Sequence, residues 1–495
     1  MSASDGQDRK AEALGDLRAF LRIAEEAGEV ERVTGADPEL EMGALYELSL
    51  ERAQPPVLLF ENMVGAAANH RIAVNVRSAR VVGGNTGGLD LVEAYRAKAR
   101  KTSAPIPPAV VKSGPILENV MSGNEVNARA FPMPRWHADD GGAYIGTECV
   151  VITRDPDSGW VNLGTYRTML VDERTVTVMM EPGKHGDAIR RKYWARGLAC
   201  PMAICLGQAP VLGAVAASTL PAGLSEYDAA GGRIGRPIEV IEGLATGLPI
   251  PADGEIVLEG RMPPPDEASA PEGPFGEWPG YYASGTRPEA VLRIEKIYHR
   301  NDPIMTAQPP ARPTLPGTYF GTAGTSLFRA ATLWDEIEAA GVPGVKGVWK
   351  MPGGGSRFIN VVAICQMHAG HAKMAGLVAT GAISAAFAGR VTIVVDDDID
   401  ITNAAEVMWA LATRWDPKTQ TDIIDGCWSG NIDPRIEPAK REAQDFTNSR
   451  IIIYAVRPWA WKDEFPKVNA VSPEYAAEVR RKWAGKLPFL SEKTR

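Results

Sequence analysis

The spacing of short apolar runs changes along the chain, and this change limits the folds that the sequence can adopt. Between residues 148 and 299, strand-like runs follow one another, bounded by Gly, Pro or Asp: ECVVITRD, TVTVMM, PMAICLG, GEIVLEGRM and AVLRIEKIYH. Several are separated only by short turns, which favours an antiparallel sheet or barrel over parallel strands joined by helices. After about residue 325, helical and strand-like runs alternate, which predicts a second domain of α/β type.

The residues that flank the strand-rich region indicate further units. Residues 13–27, ALGDLRAFLRIAEEA, have apolar side chains at helical spacing, and Gly28 marks the expected end of that helix. The strand-like runs PVLLF and RIAVNV come next, and a connector at about 97–113 is expected to close this first subdomain. The Pro- and Gly-rich passage 302–324 is predicted to be a linker or a loop over a site.

Size and charge exclude several classes of protein. With 495 residues, the chain exceeds the roughly 250–300 at which a single core stops growing, so two or three domains are expected. The net charge of −8 and the lack of a long Lys/Arg run argue against a nucleic-acid binder. A local basic pocket for an anionic small substrate is compatible with such a chain.

Apolar runs and cysteines indicate the compartment. The polar start MSASDGQDRK has no apolar core and no apolar run reaches about 18 residues, so neither a signal peptide nor a membrane span is expected. The five cysteines include no CxxC pair, which predicts buried free thiols in a reducing cytoplasm.

Three separate motifs carry side chains suited to a cation or an anion. WVNLGTYR places Asn162, whose carbonyl oxygen suits a hard cation, five residues before Arg167, whose guanidinium suits a carboxylate or a phosphate. His185 and Glu226 each follow a Pro-Gly or Pro-Ala-Gly turn, in MEPGKHGD and LPAGLSEYD. An Asn, a His and a Glu could together hold a divalent cation that bridges a phosphate. Taken singly, each pattern is more typical of a structural or exposed residue.

The stretch PEGPFGEWPGYY places Glu272 and Glu277 five residues apart in a segment that cannot be helical, because Gly and Pro interrupt it. A loop can direct both carboxyl groups at one cavity, and Phe275 and Trp278 would exclude water there. Burial raises a carboxyl pKa and a nearby Arg lowers it, so such a pair suits proton transfer. The alternative is two surface glutamates in a turn.

These motifs together resemble the UbiD family of decarboxylases, which use prenylated FMN. The resemblance extends from about residue 13 to 487 and rests on NLGTYR, KHG, LSEYD, PEGPFGEWPGYY, VVDDDID and WALATRWDP in this order. The stretches HAK, VVDDDIDI and IDGCWSGNIDPR look closer to the hydroxybenzoate-acting branch than to the cinnamate-acting one.

The resemblance implies a mixed α/β (α+β) fold of three parts and a tail. These are an N-terminal α/β subdomain at 1–112, a central split-β-barrel-like flavin-binding domain at 113–310, an α/β oligomerisation domain at 325–435, and a C-terminal tail at 436–495. The tail carries the strand-like RIIIYAV and a terminal helix near 474–484.

The resemblance also implies roles for residues at the site. Glu277 matches the residue that donates a proton after CO2 leaves, while Arg167 and Glu272 match the partners that orient it and stabilise the active cofactor. A manganese or magnesium ion that holds the cofactor phosphate matches Asn162, His185 and Glu226. A potassium ion is expected at 216–220, with Ser218 as its residue. The predicted cofactor-binding residues are Asn162, Leu163, Gly164, Thr165, Tyr166, Arg167, Lys184, His185, Glu226 and Lys373.

The implied reaction is reversible, non-oxidative decarboxylation of a hydroxybenzoate-type aromatic acid through a covalent prenylated-FMN adduct. No amino-acid side chain accepts the electrons that departing CO2 leaves behind, so a cofactor must. A heteroaromatic or α,β-unsaturated acid is the alternative substrate. A flavin-binding protein without turnover and a flavin-free, metal-dependent hydrolase are alternatives of another class. The expected partners are the acid, CO2, a flavin prenyltransferase as cofactor supplier, and copies of the chain in a homodimer or homohexamer.

Two acidic features are predicted to be structural. Asp396, Asp397 and Asp398 follow a buried strand and could suggest a metal site, but they fit the end of that strand and the start of a helix. RWDP, residues 414–417, likewise predicts packing and capping.

Overall fold

The computed structural model describes residues 11–52, 54–76, 88–101, 104–218, 220–316 and 318–487. The helices in these ranges are α1 (Leu17–Glu26), α2 (Glu41–Ser49), α3 (Gly88–Lys101), α4 (His185–Trp194), α5 (Pro210–Ala216), α6 (Glu226–Ile234), α7 (Thr318–Ala339), α8 (His371–Gly381), α9 (Ile383–Ala386), α10 (Ala404–Arg414), α11 (Pro438–Glu442) and α12 (Pro473–Trp483). The strands are β1 (Val30–Thr34), β2 (Val57–Glu61), β3 (Arg71–Val74), β4 (Ala109–Val110), β5 (Asn119–Ser122), β6 (Tyr144–Gly146), β7 (Val150–Arg154), β8 (Val161–Gly164), β9 (Thr168–Asp172), β10 (Thr175–Val178), β11 (Cys200–Cys205), β12 (Glu239–Glu242), β13 (Pro249–Pro251), β14 (Ile256–Met262), β15 (Ser269–Glu272), β16 (Arg287–His299), β17 (Ile304–Ala307), β18 (Val345–Lys350), β19 (Ile359–Ile364), β20 (Val391–Asp396), β21 (Thr421–Trp428) and β22 (Thr447–Ala455).

The middle of the chain forms one ten-stranded sheet whose pairings are all antiparallel. Its strand order is β6-β9-β10-β16-β14-β11-β7-β8, and β5 and β15 pair with the long strand β16 off this path. The antiparallel arrangement predicted from the short turns is confirmed. The described strands form an open path, since β6 and β8 at its ends do not pair.

The two ends of this sheet are nevertheless close together. Strand β8 lies at one end of the path and β9 lies next to the other end, yet only residues 165–167 connect them. Such a connection spans at most about 14 Å. The sheet must therefore curl strongly, and Arg167 lies in the short junction between its two edges.

A four-stranded sheet, β1-β2-β3-β17, draws together the beginning of the chain and a distant segment. Strand β17 pairs in parallel with β3, with Ile304 opposite Arg71. The passage 302–324 was predicted to be a linker or loop, and this is wrong in part, because it contains β17 and the start of α7. The helix predicted over 13–27 is confirmed for residues 17–26. Asp16 has an extended backbone that interrupts the helical run and caps the N-terminus of α1, and Gly28 follows its end with a φ of 70°.

The later part of the chain forms a five-stranded mixed sheet, β18-β19-β20-β22-β21. The inner pairs β19–β20 and β20–β22 are parallel, as expected for helices and strands that alternate, and the edge strands β18 and β21 are antiparallel to their neighbours. Helix α8 packs on this sheet, where Gly376 allows close approach to Ile452. The small sheet β13-β12-β4 completes the strand set.

The predicted mixed α/β fold with N-terminal, central and C-terminal parts is confirmed. The C-terminal α/β part has a core cluster of its own, whereas another cluster of buried apolar side chains is shared by the first and central sheets. Among helices of the described ranges, none has both the length and the apolar character needed to cross a bilayer. All five cysteines are free; Cys149, Cys200 and Cys205 are buried as predicted, whereas Cys365 is exposed.

Candidate active site

Arg167 binds both glutamates of the PEGPFGEWPGYY segment. Its Nε and Nη2 donate to the two carboxylate oxygens of Glu272 at 2.7 and 2.8 Å, and its Nη1 donates to Oε1 of Glu277. The side chains of Arg167, Glu272 and Glu277 are 8%, 0% and 13% exposed. The structure therefore brings the three predicted catalytic residues into one cluster shielded from solvent, and Tyr144 adds a hydrogen bond of 2.9 Å to Glu272.

The backbone around this loop fixes the two acids at different points. Glu272 is the last residue of β15 and pairs with Arg287 of β16, so the sheet sets its position. Glu277 lies in a turn, where its amide donates to Tyr281 O at 3.1 Å and its carbonyl accepts from Gly280 N at 2.8 Å. Gly141 lets a neighbouring segment approach, because a Cβ there would lie 2.1 Å from the carbonyl oxygen of Gly273.

Aromatic rings surround the cluster and keep it dry. The Phe275 ring is 2% exposed, lies 3.9 Å from the Tyr144 ring between centroids, and has the Arg167 guanidinium 5.5 Å from its centre. This burial raises the pKa of Glu277 to about 7, although the charge of Arg167 acts in the opposite direction. Glu277 is therefore a carboxyl group that can hold a proton near neutral pH.

A second cluster joins Asn162 and Glu226. Asn162 lies within β8, and its Nδ2 donates to both carboxylate oxygens of Glu226 at 3.1 Å, while the amide of Leu163 donates to Glu226 at 2.7 Å. Glu226 is the first residue of α6, after the N-cap Ser225, so the positive end of the helix dipole faces its charge. Burial raises the pKa of Glu226 to about 7.

His185 lines the same space as Asn162 and Glu226, and two glycines make room for the Tyr166 ring beside it. His185 begins α4, and its ring packs edge-on against Trp160 with centroids 5.0 Å apart. The Tyr166 ring fills the space beside Gly164 and Gly186, where a Cβ would lie 2.5 and 2.9 Å from that ring. The Tyr166 hydroxyl also accepts from the amide of Gly186 at 3.2 Å, which fixes the end of β8 against the start of α4.

These residues fit the metal ion that the sequence predicted. The Oδ1 atom of Asn162 is buried without a hydrogen-bond partner, although an oxygen of this kind normally has one. A hard cation would satisfy it together with the Glu226 carboxylate and the His185 ring. In the described ranges there is no group of three or more His, Cys, Asp or Glu side chains suited to a metal, so such a site depends on the amide oxygen of Asn162.

A cavity of about 240 Å³ connects the predicted cofactor-binding residues. Nine of the residues that line it were predicted from the sequence to bind the cofactor or an ion: Asn162, Leu163, Gly164, Thr165, Tyr166, Lys184, His185, Ser218 and Glu226. The cluster of Arg167, Glu272 and Glu277 lies close to this space, because Arg357 lines the cavity and its guanidinium interacts electrostatically with Glu277. Ser218 lies past the end of α5 and donates its hydroxyl to Val215 O at 2.6 Å.

Lys373 is not brought to the cavity. It lies in the first turn of α8 with its side chain 58% exposed, and its Nζ donates to Asp422 at 3.0 Å. Lys373 on helix α8 pairs with Asp422 on the edge strand β21, and this ion pair holds the lysine away from the other predicted residues. The acidic run is structural, as predicted, because Asp396 and Asp398 accept hydrogen bonds from Arg414 of α10.

Sequence reasoning missed the cavity wall that the C-terminal part supplies. Arg329 of α7 and Arg357, between β18 and β19, line it together with Thr332, Glu336, Ile383, Ser384, Phe387 and Trp428. Of these, Trp428 belongs to the stretch IDGCWSGNIDPR, which the sequence links to the hydroxybenzoate-acting branch. No local motif marks Arg329 or Arg357; each stands in a segment that reads simply as helix or turn.

Comparison with known proteins agrees with this architecture. Family models match the N-terminal domain of 3-octaprenyl-4-hydroxybenzoate carboxy-lyase at residues 21–81, its Rift-related domain at 109–313 and its C-terminal domain at 324–455. The chain therefore belongs to the UbiD family of carboxy-lyases, and it is an enzyme of the decarboxylase class.

Particular relatives extend over most of the chain. It is 33% identical over 432 residues to pyrrole-2-carboxylic acid decarboxylase of Pseudomonas aeruginosa, covering 81% of this chain and 83% of the relative. It is 30% identical to phenolic acid decarboxylase of a Streptomyces species, covering 97% and 99%. The UbiD-class enzyme HmfF of Pelotomaculum thermopropionicum, solved with FMN, superposes with a TM-score of 0.80 at 26% identity, covering 96% and 100%. An evolved dimeric form of HmfF was solved with prenylated FMN, with a TM-score of 0.77 at 26% identity, covering 93% and 98%.

Proposed function

We propose that this enzyme catalyses reversible, non-oxidative decarboxylation of an aromatic carboxylic acid with bound prenylated FMN, and that Glu277 supplies the proton. One observation carries the proposal: Arg167 binds Glu272 through two hydrogen bonds and Glu277 through a third, in a dry cluster beside a cavity. Family membership supports the reaction class, and the flavin in the related HmfF structures supports the cofactor.

The residues of β8 and of the starts of α4 and α6 fit the phosphate end of such a cofactor. Asn162, His185 and Glu226 would hold it through Mn²⁺ or Mg²⁺, since the free Asn162 oxygen needs a cation. Ser218 and neighbouring carbonyls would hold K⁺. When bound, the cofactor supplies an electron-accepting ring for the carbon that loses CO2.

The chain's own groups account for the proton. Arg167 donates to Oε1 of Glu277, which leaves the other carboxyl oxygen to carry the proton. With a pKa of about 7, Glu277 holds that proton part of the time at neutral pH and can pass it to a carbanion-like carbon. Glu272 keeps the guanidinium in place, and the Phe275 ring excludes water that would compete as a proton source.

The second part of the proposal concerns which aromatic ring the substrate carries. The sequence stretches closer to the hydroxybenzoate-acting branch favour a hydroxybenzoate, and the phenolic acid decarboxylase relative agrees with this. A heteroaromatic acid is the second candidate, because the chain is 33% identical to a pyrrole-2-carboxylic acid decarboxylase. We further propose a cytoplasmic homodimer or homohexamer that receives its cofactor from a flavin prenyltransferase.

The test combines mass spectrometry of the bound flavin with CO2 release from a panel of aromatic acids. Wild type and Glu277→Gln should bind the same flavin, but the variant should lose turnover by about 10²–10⁴-fold, the usual contribution of a positioned acid. The matched control is Glu267→Gln, an exposed carboxylate just before β15 that should leave turnover unchanged.

Each alternative predicts a different result. Full activity in Glu277→Gln would show that another group donates the proton. Bound flavin without CO2 release from any acid would indicate a flavin carrier. Activity that survives removal of the flavin would indicate a metal-dependent hydrolase.

A further inference from the structure

Two arginines of the C-terminal part line the cavity. Arg329 lies on α7, and Arg357 lies in the segment between β18 and β19. Within the described residues, neither guanidinium makes a hydrogen bond or an ion pair. Burying a guanidinium without a partner is costly, so this arrangement calls for an anion that enters the cavity.

The nearby acids are already engaged. Glu336, which lines the same wall, accepts from the amide and hydroxyl of Ser384 at 3.2 and 2.6 Å. Glu226 is bonded to Asn162 and the Leu163 amide, and Glu277 is bonded to Arg167. In the part of the chain that the structure describes, Glu336 and Glu226 make no ion pair with Arg329 or Arg357, and the charge of Glu277 offsets only part of the cost of burying Arg357.

Arg357 is held at the proton-donor side of the cavity. Its guanidinium lies 5.0 Å from the centre of the Trp278 ring and 5.7 Å from that of Phe387, and Trp278 directly follows Glu277. Burial lowers the pKa of Arg357, and Arg329 lowers it further, while the charge of Glu277 acts in the opposite direction. Burial also lowers the pKa of Arg329 to about 10. The two cations therefore destabilise each other until a negative group lies between them.

Resting on the proposed decarboxylase function, we propose that Arg357 and Arg329 bind a second anionic oxygen group of the substrate, on the ring position away from the carboxylate that leaves as CO2. Arg167 already binds two glutamates through three hydrogen bonds, so we assign this group to Arg357 and Arg329 instead. The second group is a ring carboxylate, or a ring hydroxyl that the two cations keep ionised. Two guanidinium groups can bind either a carboxylate or an ionised hydroxyl. Their rigid donors would also set the orientation of the substrate ring over the reacting centre.

The test uses flavin-loaded enzyme and ring-matched acids. Benzoate, 4-hydroxybenzoate and benzene-1,4-dicarboxylate form one series, and pyrrole-2-carboxylate with pyrrole-2,5-dicarboxylate forms another. Affinity is measured by titration calorimetry, and CO2 release is measured in parallel. In wild type, an acid with the second anionic group should bind about tenfold or more tightly than its unsubstituted match, as expected for hydrogen bonds to a charged group. The substituent that increases the affinity, carboxylate or hydroxyl, identifies the natural second group.

The variants Arg357→Met and Arg329→Met should each remove most of this preference, measured as the ratio of the affinities for the doubly anionic acid and its unsubstituted match. Arg435→Met, an arginine with its side chain 72% exposed on the same part of the chain, is the matched control and should keep the preference. Flavin content is measured in every preparation. Loss of flavin from the Arg357 or Arg329 variants but not from the control would show that these cations serve the cofactor, and would overturn the proposal.

The outcomes separate this proposal from the function on which it rests. Preferential binding of the doubly anionic acids without CO2 release from any acid would support the subsite and refute the decarboxylase function. Turnover of the unsubstituted acids with no preference for a second anionic group would keep the function and refute the subsite.

Discussion

The pH dependence of turnover tests the role of Glu277 most directly. Burial raises the pKa of its carboxyl group from 4.5 to about 7, against the lowering effect of Arg167. That difference corresponds to about 3 kcal/mol between the two protonation states. Glu277 should thus be protonated in about nine of ten molecules at pH 6 and in about one of ten at pH 8. Decarboxylation should therefore slow about tenfold between these values.

Glu181 offers a perturbation that leaves the assigned catalytic residues intact. Its negative charge raises the pKa of Glu277, so Glu181→Gln should lower that pKa and shift the decline in rate to lower pH by up to about one pH unit. The assay is the initial rate of CO2 release at saturating substrate from pH 5.5 to 8.5, with flavin content measured at each pH. The reasoning is refuted if wild-type activity does not decline between pH 6 and 8, or if Glu181→Gln leaves the decline in place.

The same pKa shift has a consequence for folding. A carboxyl group with a raised folded pKa stabilises the folded state less as pH rises, because the unfolded chain ionises above 4.5 while the folded state keeps its proton until about 7. The folded state of the wild type should lose about 3 kcal/mol over this interval through Glu277. In Glu277→Gln, the fall in unfolding free energy between pH 5 and pH 8 should be smaller by that amount in urea titrations.

Three further predictions concern the residues that hold the site together. Glu272→Gln should cost about 3 kcal/mol of unfolding free energy, because it removes a buried charge partner of Arg167, whereas Tyr144→Phe removes only one hydrogen bond to Glu272 and should cost about 1 kcal/mol; equal losses in urea titrations would contradict this. Gly141→Ala should reduce CO2 release more than tenfold with flavin retained, since its Cβ would displace the Gly273 carbonyl and the loop behind it; Gly353→Ala, which meets nothing within 4 Å, is the control. Asn162→Leu should lower bound manganese, measured by elemental analysis, and release flavin; wild-type metal content in that variant would remove Asn162 from the metal site.

Local periodicity was sufficient to predict five of the ten strands of the central sheet, namely β7, β10, β11, β14 and β16, and most later helices. It could not predict which distant strands pair. Strand β17 sits in a Pro- and Gly-rich passage and gains its extended form from pairing with β3, more than 200 residues earlier in the chain. A four-residue strand of this kind is stabilised by its partner, so its own residues carry little signal.

The candidate site shows the same limit. The motif order predicted that Arg167, Glu272 and Glu277 meet, because the loop and the strand junction each occur in recognisable sequence. Arg329 and Arg357 come from elements whose sequences are ordinary, and only the packing of the C-terminal part against the cavity gives them a place there. Lys373 shows the converse, since a lysine in a recognisable stretch lies on an exposed helix face beside Asp422.

The arrangement explains why two acids are kept in a stiff, apolar loop. A single glutamate bound to Arg167 would have to stay ionised to balance the guanidinium, and an ionised group cannot donate a proton. Glu272 balances that charge through two hydrogen bonds from a fixed strand end. Glu277 is thereby released to alternate between protonated and ionised forms while Arg167 still orients it. The curled sheet makes this possible, because the three-residue junction between β8 and β9 directs Arg167 at both acids at once.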